Sequence, residues 1–103
     1  MSETRPLELE VLSGPLDGHV IVLDEAVAWG RGGKGPLSFP WDVELGEPQA
    51  RFMVDDEGWW LESLEAPHGT YRINREEKVR QKVRLERGDL LKASGTWLVV
   101  RET

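Results

Sequence analysis

The stretch Trp29-Gly30-Arg31-Gly32-Gly33-Lys34-Gly35-Pro36-Leu37-Ser38-Phe39-Pro40 decides between two kinds of fold. Its glycines fit the spacing G-x-G-x-x-G, which in a dinucleotide site must be followed by a helix whose N-terminus meets the pyrophosphate. Pro36 and Pro40 follow the last glycine closely, and no helix can open between them. Lys34 is followed by Gly35 and not by Ser or Thr, so a P-loop is excluded as well. The segment therefore reads as a glycine loop carried between strands. Glycine backbone can bring N–H groups close to an anion, and Arg31 and Lys34 supply positive charge.

Outward from the loop, the chain reads as short strands. Leu7-Glu8-Leu9-Glu10-Val11 alternates apolar with acidic residues, the pattern of a half-buried strand. His19 to Leu23 is β-branched and short, and Val27-Ala28-Trp29 climbs into the glycine loop. Leu37 to Phe39 is expected as a further short strand, and Pro40 to Pro48 as a loop carrying Trp41. Ala50 to Val54 and Trp59 to Leu64 flank the turn Asp55-Asp56-Glu57-Gly58. Thr70 to Ile73, Lys78-Val79, Lys82 to Leu85, Leu90 to Ala93 and Thr96 to Val100 complete about eleven strands, with turn signals at the spacing of an all-β sandwich or barrel. No helix of two turns is visible.

The length of 103 residues suits a single domain, 1–103. The chain has no cysteine and two isolated histidines, so disulfides and Cys-ligated metals are excluded and no metal or other cofactor is expected. The N-terminal residues carry no long apolar run, and no stretch approaches a membrane span, which sets the expectation of a cytoplasmic segment making no membrane contact. Charge is uneven within a net −6. Residues 1–70 hold four cations against fourteen carboxylates, and residues 71–103 hold nine against five. The acidic total argues against nucleic-acid binding. Of the five tryptophans, Trp29, Trp97 and one of Trp59 and Trp60 are expected in the core. Neighbours on a strand face opposite ways, so the other of Trp59 and Trp60 must point outward.

Four landmarks stand in order: Gly30-Arg31; Leu45-Gly46-Glu47-Pro48-Gln49-Ala50-Arg51-Phe52; His68-Gly69-Thr70-Tyr71; and Leu85-Glu86-Arg87-Gly88-Asp89. Together they resemble the forkhead-associated (FHA) domain, whose signature runs Gly-Arg, Ser-Arg-x-His-Ala, Asn-Gly-Thr and Leu-x-x-Gly-Asp. The resemblance covers Leu7 to Arg101. It implies an antiparallel β-sandwich that binds phosphothreonine peptides through loops at one end, in the signalling and secretion assemblies where bacterial domains of this kind occur.

The chain departs from that signature where phosphate would bind. Arg31 matches the arginine that the family uses on the phosphate or peptide backbone, and a guanidinium fork suits phosphate oxygens. Gly46 stands in place of the phosphate-binding serine, and Glu47 in place of the arginine, where a carboxylate repels a dianion. Gln49 replaces the histidine that braces the loop. His68 replaces the asparagine that holds the peptide, while Gly69 and Thr70 are retained. An opened Gly46 N–H, Lys34 and a protonatable His68 are the available compensations. Each lost charge-assisted bond costs about 1.5–3 kcal/mol.

The reading is a non-catalytic protein-interaction module of the FHA type, monomeric as an isolated domain, with phosphothreonine recognition weakened or lost. Arg31, Lys34, Trp41, Gly46, Glu47, His68 and Thr70 are the candidate surface for a protein or phosphoprotein partner, with Trp41 as an aromatic anchor. The alternatives are a working phosphothreonine reader using Arg31, Lys34 and loop N–H groups, and a carbohydrate-binding sandwich using exposed tryptophans. No nucleophile–base set or placed carboxylate pair supports an enzyme.

Overall fold

The computed structural model describes residues 5–32, 35–64, 66 and 68–103. Ten strands run in chain order: β1 Leu7–Val11, β2 Val20–Leu23, β3 Val27–Trp29, β4 Ala50–Asp55, β5 Gly58–Ser63, β6 Thr70–Arg72, β7 Glu77–Lys78, β8 Lys82–Arg84, β9 Leu90–Ala93 and β10 Thr96–Glu102. Their helical interruptions are the single 3₁₀ turns Gly14–Leu16 and Ile73–Arg75. No described helix is long and apolar enough to cross a membrane. The strands form a six-stranded sheet, order β2-β1-β10-β9-β6-β7, and a four-stranded sheet, order β3-β4-β5-β8. All strand pairings are antiparallel, so the fold is the expected all-β sandwich.

One expected strand is absent. Leu37-Ser38-Phe39 makes only a parallel bridge from Ser38 to Gly30. Leu37 and Phe39 are instead fully buried in the core. Two prolines close to each other leave too little chain for a ladder, while the apolar pair between them still has to be buried.

The two sheets close on one apolar cluster. Leu7, Leu9 and Val11 enter it from β1, Phe52 from β4, Trp59 and Leu61 from β5, and Leu91, Leu98 and Val100 from β9 and β10. Period-2 alternation puts those side chains on inward faces. Trp29 stacks on Phe52 across β3 and β4, with ring centroids 6.0 Å apart. Trp59 is the inward member of the Trp59–Trp60 pair, and its Nε1–H donates to the Arg5 carbonyl at 2.7 Å. Trp60 faces out, donating to Asp55 at 3.0 Å, with Lys82 Nζ 4.9 Å from its ring centroid. Trp97 corrects an expectation. Thr96, Leu98 and Val100 take the inward positions of β10, which turns Trp97 to the outer face, where the Lys92 ammonium lies 5.7 Å from its ring.

The end of the sandwich opposite the glycine loop is held by a polar cluster. Buried Arg72 pairs with Glu77, with Asp89 at 3.1 Å, and with the Arg84 carbonyl at 3.0 Å. Asp89 also accepts from the Glu86 N–H and the Asn74 amide, each at 2.9 Å. The landmark Gly88-Asp89 is thus a structural turn whose carboxylate is saturated by hydrogen bonds.

Candidate functional site

Three loops converge at the other end. The first leaves β3 at Trp29 and enters the glycine stretch. The second runs from Phe39 to Gln49. The third connects β5 to β6 through His68 and Gly69. The backbone ties the first two together: Gly30 N–H donates to Leu37 O at 3.1 Å, Arg31 N–H to Gly46 O at 3.2 Å, and Gln49 N–H to Trp29 O at 2.8 Å.

Gln49 is the hub. It is fully buried. Its amide oxygen accepts from the Gly46 N–H at 2.7 Å, and its amide nitrogen donates to the Gly69 carbonyl and the Thr70 hydroxyl, both at 2.9 Å. One neutral side chain thereby joins the second loop to the third and to the start of β6. A buried amide satisfied at both ends fixes its neighbours because each broken bond would leave an unpaired polar group.

This geometry engages three of the backbone donors around the glycine loop. The N–H groups of Gly30, Arg31 and Gly46 all point into internal bonds. The Gly46 N–H, expected to be opened by loss of a serine side chain, belongs to Gln49. Gly46 itself has no room for a side chain. A Cβ there would lie 2.7 Å from the Ala66 Cβ and 3.1 Å from the Gln49 amide oxygen. The Glu47 carboxylate lies over the glycine loop. A Cβ on Gly30 would come within 2.9 Å of Glu47 Oε1, and one on Gly32 closer still to Oε2. The Glu47 carboxylate thus sits against the backbone of Gly30 and Gly32.

Arg31 is exposed at the lip, and its Nη1 donates to the Val43 carbonyl at 3.1 Å. No ion pair joins it to Glu47 or to another described carboxylate. Arg31, Gly46, Glu47 and His68 line one cleft, together with Val43, Glu44 and Leu45. His68 stands 3.8 Å from the Glu44 carboxylate, with both side chains more than half exposed. Two further sequence candidates, Thr70 and Trp41, are elsewhere. Thr70 is buried, and its hydroxyl serves Gln49. Trp41 is outside the cleft lining: its ring packs on Phe39 at 5.1 Å between centroids and lies against Gly14. Lys34 lies outside the described residues.

Two features escape a sequence reading. Val43 is 72% exposed at the cleft mouth, an apolar residue in an acidic loop. Asp42 ties this loop to the β9–β10 turn, accepting from Ser94 Oγ and Thr96 Oγ1 at 2.7 Å and from the Gly95 N–H at 2.9 Å. Burial pushes its pKa up, but the hydrogen bonds from Ser94, Thr96 and the Gly95 and Glu44 backbone outweigh that and hold it below the ordinary carboxylate value.

No protein-family model matches the sequence, and no curated protein sequence matches it. Solved structures do match the fold. An FHA domain of an Arabidopsis thaliana hypothetical protein is 22% identical, with a TM-score of 0.82 over 95% of this chain and 86% of its own. An FHA domain from Chlamydia trachomatis is 14% identical, with a TM-score of 0.82 over 96% of this chain and 99% of its own. The FhaA FHA domain, solved in complex with the intracellular domain of Rv3910, is 22% identical, with a TM-score of 0.78 over 92% and 99%. Ten strands in these two sheets, matched over nearly the whole chain by these domains, give the chain the forkhead-associated fold.

Proposed function

We propose that the chain is a single, non-catalytic protein-interaction domain that works as a cytoplasmic adaptor, with phosphothreonine recognition weakened or lost. The observation that carries the reading is the Glu47 carboxylate laid over Gly30 and Gly32. A phosphate approaching Arg31 would meet that charge at short range, and the N–H groups of Gly30, Arg31 and Gly46 are already bonded. The surface left for a partner is Arg31, exposed Val43, Glu44, Glu47 and His68. It offers one cation, two carboxylates and an apolar contact, a mixed chemistry that suits an unphosphorylated protein segment better than a dianion.

A second reading is supported by Arg31, which keeps its place at the cleft lip with no described carboxylate partner. One similar structure comes from work on phosphothreonine-dependent FHA domain interactions. On this reading the chain still takes a phosphothreonine peptide, held by Arg31 and Lys34. Titrating matched phosphorylated and unphosphorylated peptide libraries separates the two. The leading reading expects no preference for the phosphorylated set, and a preference that disappears in Arg31→Ala would replace it with the second.

A further inference from the structure

The open strand edges of the sandwich differ in how they are protected. β7 spans only Glu77–Lys78, and β8 carries Lys82 and Arg84 on its outward face. β3 has three residues and runs into the Gly30–Ser38 bridge. Short length and outward cations are the usual guards of a sheet edge. β2 has none of them. It reads Val20-Ile21-Val22-Leu23, with no proline, charge or bulge in its pairing to β1.

The hydrogen-bond phase of that pairing shows which groups face out. Val11 N–H donates to His19 O, and residues 9 and 21 are the next pair of the same phase along the antiparallel ladder. Val20 and Val22 stand opposite Glu10 and Glu8 in the other phase. Their N–H and C=O groups therefore point away from β1, and no described backbone group meets them. Their side chains are 51% and 56% exposed. The edge thus presents two donors and two acceptors flanked by two bare valines.

Charge selects the occupant. Glu8, Glu10, Asp17, Asp24, Glu25 and Glu102 surround the edge in sequence and register. The neighbouring cations are Arg101, paired with Glu10, Arg87, paired with Glu102, and Arg5, which leaves the edge net acidic. A recess of about 310 Å³ opens beside Val22, lined by Arg5, Pro6, Glu8, Glu102 and Thr103, with two acidic side chains against one basic. Its apolar wall suits a methylene stem, and its carboxylates suit a cationic head. A second copy of the chain fits poorly. Antiparallel self-pairing with Val20 opposite Val22 would set Asp17 of one copy against Glu25 of the other, and like charges directly opposite destabilise a ladder.

We propose that β2 takes an extended, lysine- or arginine-bearing segment of a partner protein as a seventh strand of the large sheet. Main-chain bonds to Val20 and Val22 give the pairing, and the recess beside Val22 selects the cation.

The test uses the whole chain and a panel of extended peptides alternating Lys or Arg with Val or Thr, beside the same peptides with Glu for each cation. NMR amide exchange and chemical shifts are read at Val20 and Val22. The basic peptides should protect both amides and the acidic ones should not. Val22→Pro removes an outward donor that the β1 ladder does not use, and should weaken binding by roughly tenfold or more. Should Val22→Pro disturb the fold, the double variant Val20→Lys/Val22→Lys must give the same loss, by repelling the cationic strand. Arg31→Ala should leave the affinity unchanged, which separates this edge from the cleft. No protection at millimolar basic peptide, equal binding of acidic peptides, or a dimer of the free chain that Val22→Pro dissolves would each overturn the proposal.

Discussion

Gln49 accepts the Gly46 N–H at 2.7 Å while donating to the Thr70 hydroxyl at 2.9 Å, so one buried amide sets the spacing between the second and third loops. Replacing it with leucine roughly keeps the volume and removes every side-chain bond. The Gly46 N–H and Gly69 carbonyl are then left unpaired at a cost of about 1–3 kcal/mol each. Gln49→Leu should lower the urea midpoint with an unchanged m-value, and should broaden the amide resonances of Gly46 and Gly69.

Gly46→Ser restores the residue that the FHA signature carries, but not its function. The added Cβ would press on Ala66 at 2.7 Å, and neither the Ala66 nor the Pro48 side of the pocket is a flexible side-chain tip. The expected result is a loss of about 1–3 kcal/mol in stability, typical of overpacking, with no gain in phosphothreonine affinity by titration calorimetry.

Asp42 makes the loop end acid-sensitive. Its pKa is lower in the folded chain, so its contribution is fully present above the unfolded carboxylate value of about 3.9 and fades as pH falls through the folded value. Asp42→Asn should therefore destabilise the chain at neutral pH and flatten the acid limb of the stability profile. Chemical denaturation from pH 7 down to pH 2 would check both.

At the far end, Asp89→Ala leaves the buried Arg72 guanidinium without its inner carboxylate. Breaking a buried pair on one side costs about 3–5 kcal/mol. That is a large share of the 5–15 kcal/mol typical of a domain. Thermal unfolding should show a fall far larger than that for Glu102→Ala, whose ion pair with Arg87 is exposed.

The strands were legible because alternation is a local signal. Leu7, Leu9 and Val11 point inward as their spacing requires, and Thr96, Leu98 and Val100 do the same in β10. Hydrophobicity alone misplaced Trp97, since a tryptophan in an outward register stays outward and is covered by Lys92. Leu37 and Phe39 read as a strand because burial and strand formation leave the same short apolar mark. In the site, the FHA resemblance pointed to Gln49 as the brace, but not to its hold on the Gly46 N–H. The Asp42 bonds to Ser94, Gly95 and Thr96 join segments more than fifty residues apart, and no pattern within either segment announces them.

Glu47 carries the account of the site, and phosphopeptide affinity tests it most directly. Calorimetric titration of the wild-type chain with a phosphothreonine peptide library should give dissociation constants no tighter than about 100 μM, the same within error as for unphosphorylated peptides. A constant below about 10 μM for a phosphothreonine peptide, abolished in Arg31→Ala, would contradict the account.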